Sequence, residues 1–235
     1  MLFGVMVLDK CAVCVEDMRV SALFKAGHSV AWGFLEKLEW PWEALNFIAD
    51  YVVRISSELD EAEYEKKADN VWVHKTAVIA PTAYIGGNVI IGPEAEVRHC
   101  AFIRENAIIG KNVVIGNSTE LKNVILFDKV QVPHYNYVGD SILGYKSHFG
   151  AGVITSNVKS DSSLISVKCD KEKIETGRKK FGAIVGDNVE IGCNAVLNPG
   201  TVIGANATVY PLSMVRGFIP ANSIYKKQGE IVEKH

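Results

Sequence analysis

His134 is the residue from which chemistry can be argued first. Its imidazole titrates near neutrality, so it can take up or release a proton under ordinary conditions. It stands in the run Pro133-His134-Tyr135-Asn136-Tyr137-Val138-Gly139-Asp140, which interrupts an otherwise regular stretch of chain. Two cations, Arg104 and Lys122, lie 18 residues apart. Arginine suits a bidentate grip on an anion, and lysine a point charge. Asn157 follows the glycine-rich Gly150-Ala151-Gly152. Each residue also has a plainer reading. A histidine on a strand surface is ordinarily an exposed polar group, surface cations are commonplace, and glycines mark tight corners. What sets these residues apart is the repeat that carries them.

Every sixth residue from Val73 is aliphatic: Val73, Ile79, Ile85, Ile91, Val97, Ile103, Ile109, Ile115 and Leu121. Four residues after each stands a mostly small one, from Ala77 and Ala83 through Thr119 to Ile125. Neither the helical period of about 3.6 nor the strand period of 2 produces this ladder. A fixed six-residue period is the mark of a parallel β-helix, whose coils stabilise one another by stacking. Three hexads make one triangular turn, which puts Arg104 and Lys122 on the same face, one coil apart. His134 falls within about a coil of Lys122, Tyr137 and Asn157. Phe127 takes the inward position once more, and then the phase slips: Leu143 follows after 16 residues, where three hexads would take 18. Departures from a repeat often mark function. The hexad breaks again after Asn157. Residues 158–180 carry seven basic side chains, Lys159, Lys168, Lys171, Lys173, Arg178, Lys179 and Lys180, and alternate at Leu164–Lys168. The expectation is a protruding β-hairpin or arm, whose charge is either a solvated face or a hold on phosphate groups. The repeat resumes at Val185, Ile191, Leu197, Ile203, Val209 and Val215, and Pro220 ends it.

The chain thus divides into a cap region, 1–70, a β-helix, 71–220, and a tail, 221–235. In the cap, Met1–Leu8 reads as a short strand. Cys11 and Cys14 form a C-x-x-C without a second pair, better read as two small residues than as a metal or redox site. Trp40-Pro41-Trp42-Glu43 resembles a helix start, and Ala44, Phe47, Ile48, Tyr51 and Val52 recur at helical spacing towards Leu59. Glu61–Lys67 reads as a charged connector or helix end. The expected role of this region is to cover the open edge of the first coil. Apolar residues make up 48% of the 235, enough for a sizeable core. A net charge of −2 argues against a nucleic-acid binder. No stretch approaches the roughly 18 apolar residues of a membrane span, and Asp9 cuts short the apolar start, against a signal peptide. Five scattered cysteines suit a reduced, cytoplasmic setting.

The run His134-Tyr135-Asn136-Tyr137-Val138-Gly139-Asp140, followed by Phe149-Gly150-Ala151-Gly152-Val153-Ile154-Thr155-Ser156-Asn157, resembles the acetyltransferase domain of the bifunctional UDP-N-acetylglucosamine pyrophosphorylase / glucosamine-1-phosphate N-acetyltransferase. Gly116-Asn117-Ser118-Thr119-Glu120-Leu121-Lys122 is similar to the family's G-N-x-x-E-x-K. Arg178-Lys179-Lys180-Phe181-Gly182-Ala183-Ile184-Val185-Gly186-Asp187 looks closest to the archaeal-type sugar-1-phosphate nucleotidylyltransferase/acetyltransferases. The resemblance covers roughly 71–217. It implies a mainly β fold, a left-handed parallel β-helix of hexapeptide repeats, assembled as a homotrimer with acetyl-CoA along the groove between subunits. It implies His134 as the general base, with Glu120 or Asp140 orienting its ring. Asn157 and the amides around Gly150-Ala151-Gly152 are the implied oxyanion donors. Arg104, Lys122 and Lys180 would hold the phosphate of an amino-sugar 1-phosphate, with Tyr137 and His148 at the sugar. Ala151, Cys193 and Pro211 would contact the coenzyme, and no metal is implied. The sequence departs from the family at His148, often Asn, at Val158, commonly Tyr, and at Cys193, frequently Ser. No G-x-G-T-R-like phosphate loop opens the chain, so a nucleotidyltransferase, if needed, would be a separate partner. A non-catalytic trimeric β-helix binding a sugar nucleotide or such a partner is the alternative. Metal chemistry through His99, His134 and His148 is a weaker third, since their spacing does not match the carbonic-anhydrase ligand pattern.

Overall fold

The computed structural model describes residues 15–169 and 172–234. The expectations for Met1–Leu8, Cys11 and Cys14 lie outside them. The aliphatic ladder forms a parallel β-solenoid with three faces. Strands such as Tyr84–Ile91, Phe102–Ile109, Glu120–Leu126 and Tyr137–Leu143 bend around one corner, so each serves two faces, here called the front and the flank. Short strands at Val78–Ile79, Glu96–Val97, Val114–Asn117, Gln131–His134 and His148–Phe149 build the back face as a separate sheet. Ile103, Ile109, Ile115 and Leu121 are all fully buried, as the six-residue period requires.

The phase slip is resolved into two contractions of one residue each. Ile103 pairs with Leu121 across 18 residues, but Ala107 pairs with Val124 across 17, so the corner at Lys122-Asn123 is one residue short. The next coil repeats the contraction at Gly139-Asp140, where Val138 pairs with Leu121 and Ser141 with Val124. The inward residue is therefore Leu126, stacked between Ile109 and Leu143. Phe127 instead occupies a corner that is glycine in the coils on either side, Gly110 and Gly144, as their matching backbone bonds show. Its ring turns outward and stacks on Phe24 at 4.9 Å.

That contact belongs to the N-terminal region, whose placement differs from the expected cap. Its helices lie along the flank, with the helix Ile48–Ser56 against the strands at 84–91, 102–109 and 120–126. A 3-10 helix, Pro41–Asn46, precedes it. The edge of the first coil is covered by a strand, Tyr64–Ala68, antiparallel to Val71–His74. This strand lies where a charged connector was expected. The flank needs a cover because its outward column is Ile90, Ile108, Ile125, Ile142 and Ile184, in register and each fully buried. Removing such side chains from water stabilises by about 1.5–3 kcal/mol each.

The insertion forms a hairpin, Ile165–Cys169 with Glu172–Arg178. It lies against the flank of the later coils, with Ile165 and Val167 buried. Gly200 and Gly217 have φ of +78° and +74°. A Cβ there would stand 2.7 Å from Ile165 Cγ2 and 2.6 Å from the Lys168 carbonyl oxygen respectively. The tail closes the solenoid as a second hairpin, Ser223–Lys227 with Glu230–Glu233. Among the described residues no helix is long and apolar enough to cross a membrane.

Candidate active site

The corner between front and flank carries a column of residues in the left-handed region: Asn70, Asn88, Asn106, Asn123 and Asp140, with φ between 48° and 56°. Short amide and carboxyl side chains tolerate this conformation. Asn70 donates to Asn88 and Asn88 to Asn106, at 3.2 and 3.0 Å. At the two contracted coils the ladder changes character, because the last member is an acid. Asp140 is buried. Its Oδ1 accepts from Asn123 Nδ2 at 2.9 Å, and its Oδ2 from Asn157 Nδ2 at 2.6 Å. Lys122 Nζ lies 3.7 Å from Oδ2. A buried carboxylate needs such partners, and together they fix Asn157 and Lys122 on the front edge.

Tyr137 completes the group. Its hydroxyl accepts from Asn157 Nδ2 at 3.3 Å. A Cβ on Gly139 would lie 2.6 Å from that hydroxyl oxygen, so the glycine leaves the space the ring fills. Burial, then the charges of Glu120 and Asp140, push the phenol above its ordinary pKa, which keeps it a neutral hydrogen-bonding group. Arg104 is an exposed side chain one coil away and pairs with Glu120 at 3.1 Å. That hydrogen bond raises its pKa. Arg104 and Lys122, put one coil apart by the 18-residue interval, lie with Tyr137 and Asn157 about Glu120 and Asp140, whereas His134, counted within a coil of Lys122, Tyr137 and Asn157, does not join them.

His134 sits at the other end of the front face, at its corner with the back face. It is exposed, and among the described residues its ring makes no hydrogen bond or ion pair. Neither expected orienting carboxylate reaches it: Glu120 is taken by Arg104, and Asp140 by the two asparagines and Lys122. What is fixed is the backbone beneath it. Buried Asn136 accepts from His134 N at 3.1 Å and donates to the Gly150 carbonyl at 2.8 Å. Asn136 was not singled out in the sequence, where it was only one residue of the matching run.

Backbone bonds tie His134 into a vertical column. The His134 carbonyl accepts from Gly152, that of Ala151 from Asn194, and that of Cys193 from Leu212. Ala151, Cys193 and Pro211 therefore stack beyond His134 along one edge, half-exposed or exposed. The amides of Gly150 and Gly152 are already bonded to Ile191 and His134 carbonyls, which corrects their reading as free oxyanion donors. Two other expected residues stand apart from the cluster. His148 is on the back face, its Nδ1 2.8 Å from Glu190. The Lys180 side chain is exposed and has no polar partner among the described residues; its carbonyl accepts from Arg178 Nε at 3.0 Å. No group of His, Cys, Asp and Glu suited to a metal occurs among the described residues.

The chain is similar to known proteins over most of its length. Residues 87–177 match the GMPPB C-terminal domain model, and 182–217 match the bacterial transferase hexapeptide model of six repeats. The chain is 33% identical over 203 residues to the bifunctional protein GlmU of Methanococcus maripaludis, covering 85% of this chain and 49% of that protein. It is 34% identical over 109 residues to a bifunctional sugar-1-phosphate nucleotidylyltransferase/acetyltransferase of Sulfurisphaera tokodaii, covering 46% and 27%. The chain thus spans half or less of the length of these relatives. Among solved structures, the acetyltransferase domain of PglB from Neisseria gonorrhoeae in complex with acetyl coenzyme A aligns at 17% identity and a TM-score of 0.31, covering 66% of this chain and 53% of that one.

Proposed function

We propose that this hexapeptide-repeat protein, which resembles the GlmU acetyltransferase domain, transfers an acetyl group from acetyl-CoA to the amine of an amino-sugar 1-phosphate. The observation that carries the reading is the grouping of Lys122, Tyr137 and Asn157 around Asp140, with Arg104 on neighbouring Glu120, on the face whose other edge holds His134. In this reading the cations and Tyr137 hold the sugar phosphate. His134 takes the proton from the attacking amine, and the coenzyme lies along the Ala151, Cys193, Pro211 column. The relatives' names, which join a sugar-1-phosphate nucleotidylyltransferase to an acetyltransferase, support an acceptor of this class.

A homotrimer fits the same arrangement. The flank is covered by the chain's own helices and hairpin, leaving front and back faces for neighbouring copies. Tyr84, Phe102, Ile154 and Met214 stand exposed in one register on the front. An adjacent subunit would supply the shelter and the orienting contact that the His134 ring lacks within one chain.

The test is a thiol-release assay with acetyl-CoA across glucosamine 1-phosphate and galactosamine 1-phosphate. His134→Ala is expected to lower turnover at least about a hundredfold with assembly unchanged; retained turnover would remove His134 as the base. The unpartnered imidazole also favours a second reading, a binding module without catalysis. A thermal shift with a sugar nucleotide but none with acetyl-CoA would select it.

A further inference from the structure

Three cations and two carboxylates meet at the front-flank corner, and their pairing is uneven. Arg104 contacts Glu120 at 3.1 Å and Lys122 approaches Asp140 at 3.7 Å. The third cation is Arg178, the last residue of the hairpin strand Glu172–Arg178. Among the described residues it pairs with no carboxylate. Its Nη1 donates to the Asn46 side-chain oxygen, and its Nε donates to the Lys180 carbonyl at 3.0 Å. Asp140 acts on it only at longer range, as a weak attraction opposing the effect of burial. Both Asp140 oxygens are already engaged by Asn123 and Asn157. The half-buried Arg178 guanidinium is thus held by neutral acceptors alone.

Burying a charge without a counter-ion is unfavourable, and two neutral hydrogen bonds offset only part of that. The placement is nonetheless elaborate. The hairpin returns Arg178 to the corner from 21 residues beyond Asn157. Asn46 ends the 3-10 helix Pro41–Asn46. That helix is itself anchored to the site, because Asn123 donates at once to the Leu45 carbonyl at 3.0 Å and to Asp140. Trp42 packs on Phe181 at 5.8 Å, joining the same helix to the residue after Lys180. Three segments distant in sequence thus fix one guanidinium near the corner that holds Asp140, Lys122 and Asn157. A simple fastener between hairpin and helix would not need a fixed positive charge; a neutral donor would serve.

We infer that Arg178, oriented by Asn46, anchors the anionic group of the acceptor, a phosphate ester on the sugar, and supplies its site with a half-buried cation that no carboxylate neutralises. The inference rests on the proposed acceptor class and adds to it a residue from outside the repeat. A bidentate guanidinium–phosphate contact satisfies the charge that the folded chain leaves open.

Calorimetric binding of glucosamine 1-phosphate and of inorganic phosphate, without acetyl-CoA, tests it in the full chain. Arg178→Gln is expected to weaken both by about ten- to a hundredfold. Binding of unphosphorylated glucosamine should be unchanged. Arg178→Lys should recover part of the loss, and Asn46→Ala should cause a smaller one of the same selectivity. In turnover, KM for the sugar phosphate should rise while kcat and KM for acetyl-CoA hold. Equal losses for phosphorylated and plain sugar, or no loss, would overturn the inference, as would wild-type protein that binds neither phosphate ligand. Acetyl transfer with an unchanged KM in Arg178→Gln would sink the inference and spare the proposed reaction. Arg178-dependent phosphate binding without transfer would do the reverse.

Discussion

The front and the flank of the solenoid are built from the same strands, yet their outward columns are opposites. On the flank the column is isoleucine in five successive coils, all buried under segments of the same chain. On the front it runs Tyr84, Phe102, Glu120, Tyr137, Ile154, Val196 and Met214. Four of these remain exposed, and the polar pair sits where the coils contract. The inward ladder is indifferent to this contrast, because any β-helix coil needs aliphatic residues inside. The outward column records what each face meets: the protein's own helices on one side, and ligand or another copy on the other. The corner between them is where Asp140 collects partners from both.

The contrast breaks most sharply under truncation. Ile108→Ala should cost about 2–5 kcal/mol, whereas Tyr84→Ala on the open front should leave monomer stability within about 1 kcal/mol. Denaturant midpoints of the two variants check this, and similar losses would show that the front is covered as well. Gly139→Ala probes the corner itself. Its methyl would take the place of the Tyr137 ring, and acceptor affinity is expected to fall about tenfold or more with only a small change in melting temperature. Unchanged affinity would separate Tyr137 from the acceptor.

The smallest effect concerns the seam between covering and covered parts. Asp187 accepts from the backbone amides of Lys25 and Tyr145, both at 2.8 Å, and burial raises its pKa. The folded chain therefore keeps this proton where the unfolded chain has lost it. The associated stability is complete below the ordinary carboxylate value of about 3.9 and is lost as pH rises through the raised folded value. Wild type should accordingly lose stability relative to Asp187→Asn as pH climbs from about 4. Parallel stability–pH curves would contradict that sign.

Several features were legible in the chain because they follow from period alone. Ile85, Ile91 and Val97 announce a stack, the 18-residue interval brings Arg104 to Lys122, and the interruption after Asn157 announces the hairpin. Trp40-Pro41 marked a helix start, although the segment opens as a 3-10 helix before the α-helix Ile48–Ser56. Phe127 was misread because an apolar residue near the hexad phase looks inward until the contraction at Lys122-Asn123 is known. The isoleucine column escaped notice for a related reason: a residue beside the ladder reads as core whichever way it points.

The order of residues by itself determined the solenoid, since hexads can bury their aliphatic members only by stacking, and it showed that the repeat is broken between Phe127 and Leu143. Only the folded chain decided that the N-terminal helices lie along the flank, that Asp140 belongs to Asn123 and Asn157 and leaves the His134 ring without a partner among the described residues, and that Arg178 arrives beside Asn46. Those pairings join residues from 17 to 132 positions apart. A repeat specifies neighbours one coil away; contacts between the repeat and what interrupts or precedes it depend on how whole segments pack.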